Sequence, residues 1–155
     1  MEHLFSSKKG LISREKKEIL LNQKGTCLWL TGLSGSGKTT IAKIVSEELH
    51  KNGILTNVLD GDNIRLGINS NLTFSEDDRL ENVRRTAEIA KLFVECGVVT
   101  ICCLVSPTVK IRKLAKKIIG EKDFYEIFIN TSLKQCNKID TKWLYKKAEM
   151  GLVHN

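Results

Sequence analysis

The residues best suited to chemistry form a glycine-rich loop, "GLSGSGKTT", which follows the apolar run "CLWLT". The loop fits the pattern G-x-x-x-x-G-K-S/T, in which glycines let backbone N–H groups turn towards a phosphate without steric clash. Lys38 can reach the terminal phosphates of a nucleoside triphosphate, and the hydroxyl of Thr39 can bind Mg²⁺. The residues predicted to bind the nucleotide are Gly32, Ser34, Gly35, Ser36, Gly37, Lys38, Thr39 and Thr40.

A second group of polar residues, "LDGDN", places Asp60 and Asp62 directly after the next apolar run. In parallel sheets, ligands bind at the carboxyl ends of the strands, where the phosphate loop is also expected. A carboxylate there can bind Mg²⁺ or accept a proton from an attacking hydroxyl. The alternative is a solvated turn, because Asp-Gly is a common turn dipeptide.

Arginine and asparagine residues follow this acidic segment, from Arg65 to Arg85. Arg79 and Asn82 are three residues apart and share one face of a predicted helix. Guanidinium groups suit a doubly charged acceptor because they bind anions with two parallel hydrogen bonds. Phe74, in the polar loop before that helix, either stacks on a base or packs onto the helix as a hydrophobic staple.

Apolar runs that alternate with amphipathic segments must position these groups. The predicted strands are "TCLWLTG", "ILTNVLDGD", "VVTICCLVS" and "YEIFINT". The predicted helices are "SREKKEILLNQ", "KTTIAKIVSEELHKNG", "SEDDRLENVRRTAEIAKLFVECG", "TVKIRKLAKKIIG" and, as one helix or a pair, "LKQCNKIDTKWLYKKAEMG". This alternation predicts an α/β protein with three layers, a parallel sheet carrying helices on both faces. We expect a leader helix or arm over residues 1–24 and one domain over residues 25–155.

Length and composition favour a single domain that binds a small anion. The chain has 155 residues and a net charge of +7. It carries no basic stripe interleaved with aromatic residues, so we expect a small polyanion as ligand and no nucleic acid. No apolar run approaches the ~20 residues of a membrane span, and the first residues lack the apolar core of a signal peptide. The five cysteines show no metal-ligand spacing, which indicates reduced thiols in a cytoplasmic protein.

Taken together, the motifs "WLTGLSGSGKTT", "LDGDNIR", "NLTFSEDDRLENVRRTAEIAKLF", "VSP" and "DTKWLYKKA" resemble those of the adenylylsulfate kinases. These enzymes use ATP to phosphorylate the 3′-hydroxyl of adenosine 5′-phosphosulfate (APS), giving 3′-phosphoadenylylsulfate. The resemblance implies the P-loop NTPase fold, ATP and Mg²⁺ as cofactors, and a role in sulfate assimilation. It also implies a homodimer and allows an ATP sulfurylase as partner. The leader is similar to that of the bacterial members.

The same resemblance assigns roles to individual residues. Asp62 would be the catalytic carboxylate and, with Thr39, would bind Mg²⁺, while Lys38 would neutralise the charge that develops on the transferred phosphoryl group. The residues that would bind the acceptor are Asp60, Asn63, Arg65, Phe74, Arg79, Asn82, Ser106, Lys142 and Leu144. Within this set Phe74 would stack on adenine, and Lys142 and Leu144 would belong to a mobile segment over both nucleotides.

Several positions depart from the family pattern. Thr108 and Ile111 follow "VSP" in place of a bulky residue and an aspartate, Ile139 replaces an arginine, and Trp143 replaces a glycine. The family pattern also continues beyond Asn155, so we expect a domain that is short at its C-terminal end. These departures leave open an impaired or inactive nucleotide-binding relative with a regulatory or partner role. A further alternative is a kinase of the same fold that acts on another small metabolite, such as a sugar acid or shikimate.

Overall fold

The structure, a computed structural model, describes residues 10–139 and 143–151. Its strands are β1 (Thr26–Thr31), β2 (Thr56–Asp60), β3 (Val99–Cys103) and β4 (Phe124–Phe128). Among the described residues they form one sheet in the order β2-β3-β1-β4, and every pairing is parallel. The predicted parallel sheet is confirmed, and the carboxyl ends of its strands meet at one edge.

The helices are α1 (Arg14–Leu21), α2 (Lys38–Lys51), α3 (Gly61–Leu66), α4 (Glu76–Glu95), α5 (Val109–Ile119), α6 (Leu133–Ile139) and α7 (Leu144–Glu149). Three of them begin where a hydroxyl caps the first turn. The side chains of Ser13, Ser75 and Thr108 each accept a hydrogen bond from a backbone N–H three residues later. These caps fix where α1, α4 and α5 start.

Two groups of buried side chains lie on opposite faces of the sheet. Alternate residues of β1 point in opposite directions, so Trp29 packs with α4 and α5 while Leu30 packs with α2. The α4–α5 face is the larger of the two and includes Ala87 and Ala115, both fully buried. Helices therefore cover both faces, which confirms the three-layer arrangement.

The leader helix α1 is fastened to the amino-terminal ends of the strands. Arg14 forms two hydrogen bonds of 2.6 and 2.8 Å with Asp123 and a third, of 2.8 Å, with the carbonyl of Gly25. The guanidinium of Arg14 holds the pKa of Asp123 below its usual value. A cleft of about 650 Å³ opens beside this ion pair, at the edge opposite the phosphate loop. The domain boundary at residue 24 remains a prediction.

One element was not predicted: helix α3 follows β2 without a turn. The side chain of Asp60 accepts a hydrogen bond from the N–H of Asp62, which caps the helix, and Ile64 is buried beneath it. The helix therefore carries Asp62, which was predicted at the end of the second strand, together with Asn63 and Arg65, which the sequence analysis assigned to no element.

Three further findings concern the surface and the cysteines. Strand β4 forms an edge of the sheet, and its last four residues are exposed, with Phe128 at 63%. All five thiols are free, and four of them are buried. Within the described ranges, no helix combines the length and the apolar character needed to cross a membrane.

Candidate active site

The phosphate loop joins β1 to α2 at the carboxyl edge of the sheet. Gly32, Gly35 and Gly37 adopt φ angles of 148°, 73° and 94°, which side chains rarely allow. A Cβ on Gly32 would also lie 2.7 Å from the carbonyl oxygen of Ile129. Helix α2 begins at Lys38 without a side-chain cap. Its first N–H groups, and the positive end of its dipole, are therefore available to an anion.

The ammonium group of Lys38 lies inside this loop. Its Nζ donates to the carbonyl oxygens of Gly32 (2.9 Å) and Leu33 (2.6 Å) and to the hydroxyl of Ser36 (3.3 Å). The residue is only 8% exposed. Oxygen atoms of the loop therefore hold the positive charge of Lys38 at its centre. A phosphate offers oxygen acceptors of the same kind.

The carboxylate of Asp60 lies beside the phosphate loop, where it accepts a hydrogen bond from the predicted metal ligand Thr39. Thr39 Oγ1 donates to Asp60 Oδ2 at 2.7 Å, and Asp60 Oδ1 accepts from the N–H of Asp62 at 3.0 Å. No cluster of three or more His, Cys, Asp or Glu side chains suited to a metal occurs among the described residues. This donor set fits Mg²⁺, which commonly uses one or two protein oxygens and completes its shell with phosphate and water.

On the acceptor side, Arg65 and Phe74 form a stacked pair. The guanidinium carbon of Arg65 lies 4.3 Å from the ring centroid, and its Nη1 donates to the carbonyls of Leu72 and Thr73. The ring of Phe74 is 68% exposed, so it does not form the hydrophobic staple that the sequence allowed. It presents an aromatic surface backed by a cation.

Two guanidinium groups on this side, those of Arg65 and Arg79, form no ion pair with a carboxylate of the described residues. Among the described residues, neither Arg65 nor Arg79 has a carboxylate oxygen within the 4.0 Å of an ion pair. Burial, followed by the nearby charge of Arg79, lowers the pKa of Arg65. By contrast, Arg84 and Arg85 both bind Glu81, whose pKa they lower to about 2. The charges of Asp78 and Asp62 act on Arg65 without forming an ion pair, so an anionic ligand could pair directly with Arg65 and Arg79.

The remaining predicted acceptor residues occupy different environments. Asn63 is exposed on α3. Asn82 on α4 is 6% exposed, and its Oδ1 accepts a hydrogen bond from Asn69. Ser106, at φ 34°, is 3% exposed, and its hydroxyl accepts a hydrogen bond from Trp29 Nε1 at 3.1 Å. The hydroxyl of Ser106 is thus engaged in the core, and its contact with the acceptor remains a prediction.

The C-terminal part of the described chain reaches the phosphate loop. Tyr145 on α7 donates to the carbonyl of Ser34 at 2.6 Å. Trp143, one of the expected departures from the family pattern, adopts φ 57°, and the ammonium of Lys146 lies 4.4 Å from its ring centroid. Leu144 begins α7, whereas Lys142 lies outside the described residues.

Sequence reasoning did not single out several residues that support this site. Thr131 donates to the carbonyl of Ser36 at 2.8 Å, and Tyr145 contacts the same loop from α7. Asn69 is fully buried against Asn82. A lone threonine carries no motif, Tyr145 lies in the motif "DTKWLYKKA" but was given no role, and Asn69 is one of several asparagines in a polar segment. Only long-range packing identifies them.

A cation-centred phosphate loop, an adjoining carboxylate and a second, cationic subsite define a P-loop phosphotransferase. The family model described as "Adenylylsulphate kinase" matches residues 24–155. An adenylyl-sulfate kinase of Bacteroides fragilis is 54% identical over 145 residues, which cover 94% of this chain and 72% of that protein. One from Phocaeicola vulgatus is 53% identical, with 99% of this chain and 76% of that protein covered. The chain belongs to the adenylylsulfate kinase family.

A solved structure supports the same assignment. The Mycobacterium tuberculosis APS kinase CysC, in complex with AMPPNP and APS, superimposes with a TM-score of 0.82 and is 42% identical. The match covers 85% of this chain and 78% of that one. The fold and the family implied by the sequence motifs are thereby confirmed.

Proposed function

We propose that the protein transfers the γ-phosphoryl group of ATP to the 3′-hydroxyl of APS and so forms 3′-phosphoadenylylsulfate for sulfate assimilation. The observation that carries this proposal is the pair of guanidinium groups, Arg65 and Arg79, that have no carboxylate partner among the described residues. They lie on the acceptor side of Asp62, whose charge acts on Arg65. The phosphosulfate of APS is an anion of the kind these groups bind.

On the donor side, the phosphate loop would hold the triphosphate of ATP. Helix α2 begins in this loop without a side-chain cap, and the ammonium of Lys38 contacts carbonyl oxygens of the same loop. Thr39 and Asp62, the predicted ligands, would bind Mg²⁺. Because Thr39 Oγ1 donates to Asp60 Oδ2 at 2.7 Å, Asp60 would also lie beside that ion. When bound, Mg²⁺ neutralises charge on the phosphate oxygens.

On the acceptor side, Phe74 would stack on the adenine while Arg65 and Arg79 bind the phosphosulfate. The exposed ring of Phe74 suits this role because a base can cover its free face. The remaining predicted acceptor residues are Asp60, Asn63, Asn82, Ser106, Lys142 and Leu144. Their contacts with APS are part of the proposal.

The chemistry requires positioning and charge neutralisation more than covalent participation by the protein. The 3′-oxygen of APS forms a bond to the γ-phosphorus as the bond between that phosphorus and the bridging oxygen of ADP breaks. Asp62 accepts the proton of the 3′-hydroxyl. Lys38 neutralises the charge that spreads over the transferred phosphoryl oxygens.

A coupled assay of ADP release with several acceptors tests this function. The purified chain is given Mg·ATP with APS, with gluconate, with shikimate, or with no acceptor. We expect ADP release that depends on APS, and an Arg79→Gln variant whose KM for APS rises while its KM for ATP is unchanged. Faster turnover with another acceptor would contradict the assignment of APS.

The inactive-relative alternative makes a different prediction for the same assay. It requires ATP binding without turnover, for which neither the described contacts nor the comparisons provide support. Trp143, a departure that motivated it, adopts a positive φ that a bulky side chain rarely takes, and the ammonium of Lys146 lies over its ring. ATP that binds without APS-dependent ADP release would restore this alternative.

The assembly and location of the protein are also proposals. We expect a homodimer in the cytoplasm, as the family resemblance implies, and allow an ATP sulfurylase as partner. Light scattering coupled to gel filtration tests the first expectation, and a monomeric mass at micromolar concentration would contradict it. Co-purification with a sulfurylase tests the second.

A further inference from the structure

We propose that Asn69 is a positioning residue, which fixes the side-chain amide of Asn82 so that its NH₂ group, and not its oxygen, faces APS. This inference rests on the proposed function, because it assumes that Asn82 binds the acceptor. Asn69 would not contact the substrate. It would act through Asn82 alone.

The backbone around Asn69 is held on both sides. Its N–H donates to the carbonyl of Ile64 at 2.9 Å, and its carbonyl accepts from the N–H of Leu72 at 3.0 Å. The side chain is fully buried, with Nδ2 at 2.9 Å from Asn82 Oδ1. Asn69 thus joins the loop between α3 and α4 to the helix that carries Asn82.

The main-chain carbonyl of Asn82 determines the orientation of both amides. Asn69 Nδ2 lies 3.4 Å from this oxygen, which can only accept hydrogen bonds. If the amide of Asn69 were reversed, its oxygen would face that carbonyl and repel it. With Asn69 Nδ2 in place, the group of Asn82 at 2.9 Å must be its oxygen, since two NH₂ groups would repel each other.

The NH₂ group of Asn82 therefore points away from Asn69. None of the described residues accepts a hydrogen bond from this NH₂ group. In the described chain, Asn69 Oδ1 is the sole buried polar side-chain atom without a partner. The unpaired NH₂ group of Asn82 is therefore not fully buried. Arg79 lies one helical turn earlier on the same face of α4. Asn82 Nδ2 is thus a donor available beside the anion-binding guanidinium groups, suited to an oxygen or ring-nitrogen acceptor on APS.

The unpaired oxygen of Asn69 supports a functional role. A buried carbonyl without a hydrogen-bond donor destabilises a fold. A leucine of similar size would avoid this penalty, so stability alone does not favour asparagine here. The role of its NH₂ group in orienting the amide of Asn82 explains why asparagine occupies this position despite the cost of the unpaired oxygen.

A double-mutant cycle tests the inference. We expect Asn69→Leu to raise the KM for APS about tenfold, the effect of one lost hydrogen bond, and to leave the KM for ATP within about twofold. Asn82→Ala should raise the KM for APS at least as much. In the Asn82→Ala background, Asn69→Leu should have no further effect, because Asn69 then has no amide to orient.

A matched control is Thr86→Val, because the buried Thr86 hydroxyl donates to the same Asn82 carbonyl at 2.7 Å but does not touch the amide. We expect its KM for APS to be unchanged. Asn69→Ala replaces Asn69→Leu in the cycle if the leucine variant does not fold. Additive effects in the double variant, or equal rises in both KM values, would assign Asn69 a general structural role and overturn the inference.

The same experiment separates failure of this inference from failure of the proposed function. A wild-type chain without APS-dependent turnover would overturn both. An active wild-type chain in which Asn69→Leu retains its KM for APS would overturn the positioning role alone.

Discussion

Replacing Asp60 by Asn separates the charge of this side chain from its shape. One oxygen of Asp60 caps helix α3 through the N–H of Asp62, and the other accepts from Thr39 Oγ1 at 2.7 Å. Asparagine is as good an N-cap as aspartate, and its amide can still exchange a hydrogen bond with the Thr39 hydroxyl. The variant therefore keeps both contacts and loses only the negative charge beside the predicted Mg²⁺ ligand.

The two consequences differ in size. The free energy of unfolding should change by less than about 0.5 kcal/mol, because neither hydrogen bond is lost. A charged contact with the ion contributes roughly 1.5–3 kcal/mol. Its loss should raise the Mg²⁺ concentration for half-maximal turnover by about 10- to 100-fold. Asp60→Ala, which also removes the cap, should lose about a further 1 kcal/mol of stability.

The assay is APS-dependent ADP release as a function of Mg²⁺ concentration, with thermal unfolding measured in parallel. Thr39→Ser serves as a control, since it retains the hydroxyl and should retain the Mg²⁺ dependence. If Asp60→Asn leaves the Mg²⁺ dependence unchanged while Asp62→Asn shifts it, the carboxylate beside the ion is Asp62 alone. Our interpretation of the Thr39–Asp60 contact would then be wrong.

Three further predictions concern stability and thiol reactivity. Gly25→Ala should destabilise the fold by about 3 kcal/mol or more, because its Cβ would overlap the carbonyl oxygen of Val94; an unchanged melting temperature would contradict this. A thiol reagent should label Cys96 first, since it is the exposed cysteine of the five and burial raises the pKa of Cys103 to about 12; rapid labelling of a Cys96→Ser variant would refute this. Because Arg14 lowers the folded-state pKa of Asp123, their ion pair should stabilise the fold above about pH 4, and this stabilisation should be lost as the pH falls through that pKa. A difference in free energy of unfolding between the wild type and Asp123→Asn that stays constant from pH 6 to pH 2 would disprove this.

Much of the fold could be predicted because its signals are local. The fully buried strand β3 is apolar at every position except Thr100, and the hydroxyl caps at Ser75 and Thr108 mark helix starts in the sequence itself. Helix α3 was missed because it has six residues and because its cap, Asp60, and first residue, Gly61, form an Asp-Gly pair, which usually indicates a turn. Its formation depends on the cap from Asp60 and on burial of Ile64, and burial is a tertiary effect.

The site shows the same division between local and long-range information. The conformation of the phosphate loop follows from its glycines, whereas nothing local in the sequence predicts the positive φ of Trp143. The burial of Ser106 could not be predicted, because it depends on Trp29 and Thr31 of a distant strand. The buried contact between Asn69 and Asn82 is likewise set by packing across 13 positions of the chain.

The most direct test of the proposed reaction identifies the product. The wild-type chain and Asp62→Ala are incubated with Mg·[γ-³²P]ATP and APS, and the labelled nucleotide is treated with a 3′-specific nucleotidase. We predict a labelled product from the wild type whose label the nucleotidase releases, and a strongly reduced yield from Asp62→Ala with ATP binding retained. Label at another position, equal yields from the two proteins, or no labelled product from the wild type would contradict a kinase in which Asp62 serves the 3′-hydroxyl of APS.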